Sequence, residues 1–324
     1  MDVGGTFTDF VAFGRRGVRT WKRPSTPHHP ERAVLAGLDA GAGTRSRVVH
    51  GSTVATNALL ERRGPRTVLV TTDGFADLLS IRRQVRPQLY ALEPARTPHV
   101  VARGDTITVR ERLAADGLPL VPLAEWEIER VVRAAVASGG EAFAVTFLFS
   151  FLDPSHERRV TEALRAAGLD ASASYEVLRE HREYERASTT AINAFLRPVV
   201  RRYLGELAGS LPDLRVMHSA GGLAPPSVAS ETPVSMVLSG PAGGVLGAVA
   251  TGREAGFERV ISFDMGGTST DVSLADGDVR FRAGAEIDGL AVNVPMGAHL
   301  KVLRGRGERR GSCSMDASGL GDHQ

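Results

Sequence analysis

One eight-residue pattern with the chemistry of a phosphate loop occurs twice in the chain. Residues 2–9 read Asp-Val-Gly-Gly-Thr-Phe-Thr-Asp, and residues 264–271 read Asp-Met-Gly-Gly-Thr-Ser-Thr-Asp. Glycine lets backbone N–H groups approach phosphate oxygens without a Cβ in the way, and threonine hydroxyls add further donors. For a single copy, an ordinary β-hairpin would be the simpler interpretation. The repetition, with an aspartate at both ends, favours two phosphate loops that each consist of a strand, a tight turn and a strand.

The pattern assigns a separate role to each residue type. Asp2 and Asp264, at the ends of their first strands, are expected to hold Mg²⁺ through its waters, because this ion keeps much of its hydration shell. Asp9 and Asp271 are candidate catalytic residues that orient the attacking water or the substrate. The alternative is that these two only tie down their loops. Phosphate contacts are expected from the glycines and threonines of both copies: Gly4, Gly5, Thr6, Thr8, Gly266, Gly267, Thr268 and Thr270.

The elements that must position these loops follow an α/β pattern. Short β-rich runs at 66–72, 141–149, 214–218 and 259–264 alternate with helical periods. The helices are predicted at 123–138, 154–167 and 184–207. Asp153 is expected to cap the second helix, with Pro154 at its first position. The Pro/Ser-rich stretch 224–233 is predicted to be a loop.

Four further groups of residues are weaker candidates. The segment 50–57 can present hydroxyl and amide groups to an anion, or it can simply cap a helix. The arginines at 82, 83 and 86 suit a carboxylate but equally form a solvated face. On the following helix, charged residues at 183, 185 and 186 are more simply explained as a helix surface, and His218 as a structural residue. The glycine-rich segment 239–244 suits close helix packing slightly better than approach to a nucleotide.

Composition excludes several classes of protein. The 324 residues are 42% hydrophobic and 23% charged, which allows a sizeable core and about two domains. The formal net charge of +2 gives no general electrostatic case for nucleic acid binding. One cysteine, Cys313, excludes an internal disulfide framework, and no apolar run is long enough to span a membrane. These features predict a cytoplasmic protein without membrane insertion.

Several long segments, in this order, resemble the hydantoinase/oxoprolinase family, and in particular the A subunit of N-methylhydantoinase. They are DVGGTFTDFV from residue 2, HGSTVATNALLERRG at 50–64 and VTTDGFADLLSIRRQ at 70–84. Further likeness lies in REYERASTTAINAFLRPVVRRYL at 182–204, LSGPAGGVLGA at 238–248 and SFDMGGTSTDVSL at 262–274. The resemblance covers about residues 1–296. The paired loops themselves resemble the two phosphate motifs of the actin-like ATPase superfamily.

This resemblance implies a ribonuclease H-like α/β fold, with the first lobe and the start of the second. The implied regions are 1–187 (N-terminal region) and 188–296 (an incomplete middle region). It also implies that ATP with Mg²⁺ drives hydrolysis of a cyclic amide such as hydantoin or 5-oxoproline. An unstrained amide is a poor electrophile, and phosphorylation of its carbonyl oxygen would provide a leaving group. The protein then positions and stabilises the transferred group. A B-type hydantoinase subunit is the implied partner.

The two ends of the chain depart from the family pattern. Asp2 follows Met1 directly, whereas family members usually have several residues before this aspartate. The tail 297–324 resembles no family segment and is rich in arginine, so we expect either an out-of-frame reading of the gene or a disordered tail. A truncated product is therefore expected. The alternatives to the hydrolase are a subunit of an ATP-dependent ketone carboxylase and a non-catalytic fragment.

Overall fold

The computed structural model describes residues 1–15, 17–26, 29–41, 47–85, 90–92, 99–265, 269–279, 281–297 and 300–303. Its helices are α1 Pro30–Gly41, α2 Val54–Leu60, α3 Leu78–Ile81, α4 Glu125–Ser138, α5 Ser155–Ala166, α6 Ser174–Val177, α7 Glu183–Ser210, α8 Pro226–Glu231 and α9 Ser239–Glu254, with a 3-10 helix at Pro233–Met236. The strands of the first two thirds are β1 Asp2–Val3, β2 Phe7–Gly14, β3 Gly17–Pro24, β4 Val48–Ser52, β5 Thr67–Thr72, β6 Val101–Val109, β7 Arg112–Leu113, β8 Pro119–Val121, β9 Ala142–Thr146 and β10 Ala171–Ala173. The later strands are β11 Leu214–Met217, β12 Leu223–Ala224, β13 Arg259–Met265, β14 Ser269–Asp276, β15 Phe281–Arg282, β16 Ala285–Ile287, β17 Leu290–Val292, β18 Met296–Gly297 and β19 Leu300–Leu303.

The first sheet carries the first phosphate-loop motif. Its six strands lie in the order β12-β11-β4-β1-β2-β3. Strands β1, β2 and β3 form an antiparallel meander, while β4 runs parallel to both β1 and β11. Such a mixture of a hairpin meander and parallel strands with helical crossovers confirms the predicted α/β class.

A second, wholly parallel sheet is formed by residues inserted between α2 and α7. Its strands lie in the order β10-β9-β5-β6, and every pairing is parallel. Strands β5 and β9 are buried along their whole length, as expected for a parallel sheet that is covered on both faces. Helices α4 and α5 pack against the sheet through a core that includes Ile128, Val131 and Leu164.

Helix α7 joins the two sheets. Its 28 residues pack against helices α1 and α2, which accompany the first sheet, and against strands β5, β9 and β10 of the second sheet. Residues 186–197 are all buried, so this stretch of the helix serves as core for both parts of the chain. The helix continues through Pro198, where a missing N–H removes one intrahelical bond.

The second phosphate-loop motif lies on a third sheet, in the order β13-β14-β19, which is antiparallel throughout. Helix α9 leads into β13 and packs against it, and it also contacts β4 and β11 of the first sheet. A helix of 16 residues is about 24 Å long at 1.5 Å per residue. The seven residues of β13 span about 23 Å at 3.3 Å per residue. The strand therefore returns the chain to the level at which α9 begins.

Most predicted elements are present, with two corrections. The predicted strands correspond to β5, β9, β11 and β13, and the predicted helices to α4, α5 and α7. Helix α5 begins at Ser155, one residue later than predicted, although Asp153 still accepts a hydrogen bond of 2.9 Å from the Ser155 N–H. The predicted loop 224–233 is wrong, because it contains β12's Ala224 and α8. Pro226 at the start of α8 fits the first turn of a helix, where its missing N–H costs nothing.

One face of the β13–β14 hairpin is apolar, and within the described part of the chain its side chains are exposed to solvent. Ile261 pairs with Leu274, and Phe263 with Val272, so these side chains share a face. Ile261, Phe263 and Leu274 are 71%, 65% and 65% exposed. The opposite face, with Val260 and Ala275, packs toward α9. An exposed apolar patch of this kind promotes association.

We therefore expect the purified chain to bind a hydrophobic dye such as anilinonaphthalene sulfonate and to self-associate. The double substitution Ile261→Thr and Phe263→Thr should lower dye fluorescence severalfold, because threonine keeps the strand propensity and removes most of the apolar area. Val136→Thr, at an exposed apolar position on α4, is the matched control and should change little. Equal dye binding by all three proteins would contradict the assignment of this face.

Candidate functional site

The first phosphate-loop motif forms a tight hairpin between β1 and β2. Asp2 pairs with Asp9, and Val3 with Thr8. The Gly4 N–H donates to the Phe7 carbonyl at 3.0 Å, which closes the turn and leaves Gly5 and Thr6 exposed at its tip. The exposed tip of the turn therefore contains Gly5 and Thr6, two of the residues that are predicted to contact phosphate.

Thr8 and Asp9 already have protein partners. The buried Thr8 hydroxyl lies 3.0 Å from the Ser25 hydroxyl, which donates to the Gly4 carbonyl at 2.8 Å. Thr8 therefore ties the hairpin to the segment before α1, and its direct contact with phosphate remains a prediction. Asp9 is exposed and forms an ion pair of 3.4 Å with Lys22, its neighbour on β3.

The second motif repeats the geometry of the first. In the β13–β14 hairpin, Asp264 pairs with Asp271 and Met265 with Thr270, in the same antiparallel register as Asp2 with Asp9 and Val3 with Thr8. The predicted phosphate contacts Gly266, Gly267 and Thr268 lie outside the described residues. The side chains of Thr270 and Asp271 also lie outside them. The paired backbone alone shows that the internal repeat in the sequence is a repeat in the fold.

The structure brings the two strand-end carboxylates together. Asp2 stays accessible to solvent, yet the protein atoms packed around it partly desolvate its carboxylate and raise its pKa. The amino terminus lowers this pKa, whereas the negative charges of Asp9 and Asp264 raise it further. Asp264 therefore lies close enough to act on Asp2 across the gap between the first and third sheets.

The start of α9 lies beside Asp2. A Cβ added to Gly240 would be 3.8 Å from Asp2 Oδ1, and one added to Gly51 would be 3.2 Å from it. Leu238, which precedes the helix, has a φ of 63° and no side-chain cap, and its N–H donates to Thr56 Oγ1 at 2.9 Å. The positive end of the helix dipole thus faces the carboxylate.

The glycines of α9 allow close packing, as the sequence indicated. A Cβ on Gly243 would be 2.8 Å from Met217 Sδ on β11. One on Gly252 would be 2.4 Å from Val260 Cγ2 on β13. Side chains at these two positions would push the first or the third sheet away from the helix.

Segment 50–57 packs behind the first hairpin. Thr53 Oγ1 donates to the Val3 carbonyl at 2.7 Å and accepts from Asn57 Nδ2 at 3.2 Å. Ser52 Oγ accepts from the Val54 N–H at 3.2 Å, whereas the N-cap of α2 is Thr53, whose side chain makes no capping hydrogen bond. Asn57 is exposed and retains hydrogen-bonding capacity.

A cavity of about 620 Å³ opens next to the first hairpin. Gly4 and Gly5 form one wall, and helices α1, α2 and α7 form the others. Its lining residues from the helices and their flanks are Thr26, His29, Glu31, Thr53, Val54, Asn57, Ala58, Glu61, Arg63, Val199, Arg202, Tyr203 and Glu206. The lining of the cavity by α7 was not predicted. The one indication of it in the sequence is the spacing of Val199, Tyr203 and Glu206, which places them on one face of the helix.

A buried polar pair supports the floor of this cavity. Tyr203 lines the cavity, and its hydroxyl lies 2.7 Å from His50 Nε2 on β4. Burial lowers the pKa of His50 to about 3, and burial also raises the pKa of Tyr203. The imidazole is therefore neutral at physiological pH. Its contribution to stability is lost as the pH falls from 6.5 toward 3, because there only the unfolded chain takes up the proton.

The other candidates have structural partners. Arg82 donates to the Gly289 carbonyl at 2.9 Å, and Arg83 forms an ion pair of 2.7 Å with Glu185. Buried Arg186 donates to the carbonyls of Glu180 and Phe147 at 2.6 and 2.7 Å. His218 Nδ1 lies 3.1 Å from the Ser235 hydroxyl. Glu183 opens α7, and Arg86 lies outside the described residues.

The carboxylate oxygens of Asp2 and Asp264 suit a hydrated magnesium ion. Burial raises the Asp2 pKa most, and a divalent cation would offset the charges of Asp9 and Asp264 that raise it further. Hard carboxylate oxygens are ligands that Mg²⁺ accepts. Within the described part of the chain, no three His, Cys, Asp or Glu side chains converge on one point. An ion at this site would therefore take its remaining ligands from water or from phosphate oxygens.

Comparison with known proteins gives consistent matches along the chain. The family described as "Hydantoinase/oxoprolinase N-terminal region" matches residues 1–168, and that described as "Hydantoinase/oxoprolinase" matches residues 186–307. Caprolactamase subunit alpha from Pseudomonas jessenii is 35% identical over 319 residues, which cover 91% of this chain and 46% of the relative. 5-oxoprolinase 1 from Arabidopsis thaliana is 35% identical over 272 residues, covering 76% and 21%.

Two solved structures share the fold. The crystal structure of ATP-dependent caprolactamase from Pseudomonas jessenii has a TM-score of 0.81 and 32% identity, covering 93% of this chain and 47% of that chain. Nucleotide-free acetone carboxylase has a TM-score of 0.82 and 26% identity, covering 94% and 47%. The chain thus spans less than half the length of these relatives. Among the described residues, no helix is long and apolar enough to cross a membrane.

The proximity of the two carboxylates makes a first prediction. Asp264→Asn should lower the pKa of Asp2, because it removes one of the negative charges that raise it. A ¹³C carboxyl NMR titration measures this pKa directly. Asp278→Asn, which removes an exposed carboxylate paired with Arg253, should leave the Asp2 pKa unchanged. An identical Asp2 pKa in all three proteins would mean that Asp2 and Asp264 do not share a site.

The buried pair makes a second prediction. Tyr203→Phe leaves His50 Nε2 without its partner and should lower the free energy of unfolding by about 1–3 kcal/mol. Denaturant unfolding measures this loss. Tyr90→Phe, at a tyrosine that is exposed, serves as control and should be neutral. A Tyr203→Phe protein as stable as the parent would show that the pair contributes nothing.

Proposed function

The chain belongs to the hydantoinase/oxoprolinase family, and from this membership we propose that it binds Mg·ATP and serves an ATP-dependent enzyme that opens a cyclic amide. The observation that carries the proposal is the pair of hairpins with equivalent aspartates, of which Asp2 and Asp264 interact across the gap beside α9. A pair of such hairpins suits a triphosphate better than a single turn does. The relatives named above support the ATP dependence.

Each predicted site residue has a place in this proposal. The Gly4 N–H closes the first turn, so the N–H groups of Gly5 and Thr6 and those of the second motif would bind phosphate oxygens. Asp2 and Asp264 would hold Mg²⁺ through its waters. ATP would supply a phosphoryl group to the amide carbonyl oxygen, which would make the carbonyl carbon electrophilic enough for water to add. The ring C–N bond would then break, with the nitrogen taking the electron pair and a proton, and hydrolysis of the acyl phosphate would release phosphate and the carboxylate. The residues of the chain orient this group and the ring against each other, and they neutralise the developing charge. Asp9 and Asp271 orient water or substrate.

The assembly belongs to the same proposal. The caprolactamase relative is named as an alpha subunit, so a B-type subunit is the proposed partner and the cytoplasm the proposed compartment. We keep the division into regions 1–187 and 188–296, although α7 runs across residue 187. The proposed tail 297–324 lies mostly outside the described residues.

A ketone carboxylase is the second candidate function. It is favoured by one observation, the TM-score of 0.82 with acetone carboxylase. Both candidates activate an oxygen of a carbonyl compound with ATP, so the phosphate hairpins alone do not distinguish them. Phosphate release measured with a B-type partner, in parallel on a lactam and on a methyl ketone, does distinguish them.

Mg·ATP binding to the purified chain tests the proposal. Calorimetry should show binding that Asp2→Ala and Asp264→Ala each weaken on the order of 10–100-fold, the usual cost of losing a partner that orients the ligands of a metal. Asp278→Ala is the control and should bind as the parent does. Binding that survives both site substitutions, or no binding by a folded sample, would contradict a phosphate clamp in this chain.

A further inference from the structure

The cavity beside the first hairpin has the size and position of a site for a second reactant. Its volume of about 620 Å³ lies within the usual range for small-molecule sites. Because Gly4 and Gly5 belong to its wall, a molecule inside it lies next to the loop that is proposed to hold phosphate. Val3, Val54, Ala58 and Val199 give it an apolar lining.

Most polar side chains of the cavity are already engaged. The Thr53 hydroxyl bonds to Val3 and Asn57, and the Tyr203 hydroxyl to His50. Thr26 donates to the His29 carbonyl. Two further pairs of side chains contact each other: His29 with Glu31 at 3.1 Å, and Arg63 with Glu61 at 3.1 Å. The engaged hydroxyls have little capacity left for a ligand, and each paired group already has a protein partner.

Among the uncharged polar side chains of the lining, Asn57 is the one that keeps both a donor and an acceptor within the described residues. Its amide has two N–H donors and a carbonyl acceptor, and one donor is used by Thr53 Oγ1 at 3.2 Å. One N–H and the carbonyl oxygen therefore remain. A lactam ring presents the complementary pair, a carbonyl oxygen and an N–H side by side on one edge. A ketone or an N-alkylated lactam presents only the acceptor.

The charge of the lining disfavours an anionic ligand. Three acids, Glu31, Glu61 and Glu206, stand against two arginines, Arg63 and Arg202, which leaves one net negative charge when His29 is neutral. Within the described residues, neither Arg202 nor Glu206 has an ion pair, and they lie one turn apart on α7. A ring that carries a carboxylate would meet this negative balance, whereas a neutral ring would not.

We propose that this cavity binds a neutral lactam, with Asn57 pairing with its amide edge and the apolar wall packing on its ring. The proposal rests on the proposed function and deepens it, because it selects uncharged lactams over ring acids such as 5-oxoproline. Asn57 lines the same cavity as Gly4 and Gly5, so a ring paired with Asn57 lies in the space that the phosphate loop borders. Asn57 is thus a specificity-determining residue.

The test measures binding of three probes to the chain without nucleotide, by calorimetry and saturation-transfer NMR. The probes are ε-caprolactam, its N-methyl derivative and 5-oxoproline. Caprolactam should bind about tenfold or more tightly than the N-methyl compound, which leaves the Asn57 carbonyl unpaired. It should also bind more tightly than 5-oxoproline. Equal binding of caprolactam and its N-methyl derivative, or tighter binding of 5-oxoproline, would overturn the proposal.

Two variants separate the hydrogen-bonding argument from the charge argument. Asn57→Leu, similar in size but without the amide, should lose caprolactam binding about tenfold or more. Glu206→Gln should leave caprolactam binding unchanged and strengthen 5-oxoproline binding, because it removes the negative balance. If Asn57→Leu shows a lost fold by circular dichroism, Val199→Phe replaces it, since a larger side chain there fills the cavity. Unaltered caprolactam binding in a folded variant of either kind would refute the site.

The outcome is independent of the nucleotide test. Asn57→Leu should bind Mg·ATP as the parent does, because Asn57 contacts neither Asp2 nor Asp264. Lactam binding that depends on Asn57 in a chain that binds no ATP would support the cavity and contradict the phosphate clamp. ATP binding without lactam binding would support the clamp and refute the cavity.

Discussion

The placement of Asp2 within reach of the charge of Asp264, across the gap between the first and third sheets, is the constraint on which the proposed site depends. Two carboxylates lie close together only when the fold holds them there, and in this chain three features do so. The hairpin register places each aspartate opposite its partner, α9 carries the chain from one sheet to the other, and β13 returns over almost the length of the helix. Burial is the largest cause of the raised Asp2 pKa, and the charges of Asp9 and Asp264 raise it further. A cation bound between the two strand ends would offset these like charges.

Local pattern predicted much of this fold, and the reason is visible in particular residues. The buried strands β5 and β9 are short runs of apolar and β-branched residues, and the two D-x-G-G-T-x-T-D segments carry their own turn chemistry, so both could be predicted without tertiary information. The start of α5 was missed by one residue, because Asp153 and Pro154 are compatible with either position. The stretch 224–233 was missed because its proline and serines suit a first helical turn as well as a loop.

The candidate site was predictable only in part. Asp2 and Asp264 stand 262 positions apart, and their meeting followed from the repeat rather than from spacing. No repeat predicted the cavity. One of its walls is α7, which the inserted second sheet separates in sequence from α1 and α2, the helices of the other walls. Thr8 also shows the limit of a motif, because its hydroxyl is bonded to Ser25 and not exposed at the turn. The residue type shows that Thr8 has a hydroxyl that can form a hydrogen bond, but only the packing shows that its partner is the Ser25 hydroxyl.

The glycines of α9 have a consequence for how the gap between the carboxylates is set. Met217 and Val260 approach the helix at Gly243 and Gly252 so closely that a single methyl group would overlap them. Met217 has a flexible side chain that can move aside, but Val260 does not. The helix therefore acts at Gly252 as a spacer whose thickness is that of bare backbone, and an alanine there would act as a shim between the helix and the third sheet. The distance between Asp2 and Asp264 is in this sense tuned by a residue with no functional group, about three turns along the helix from the end that lies beside Asp2.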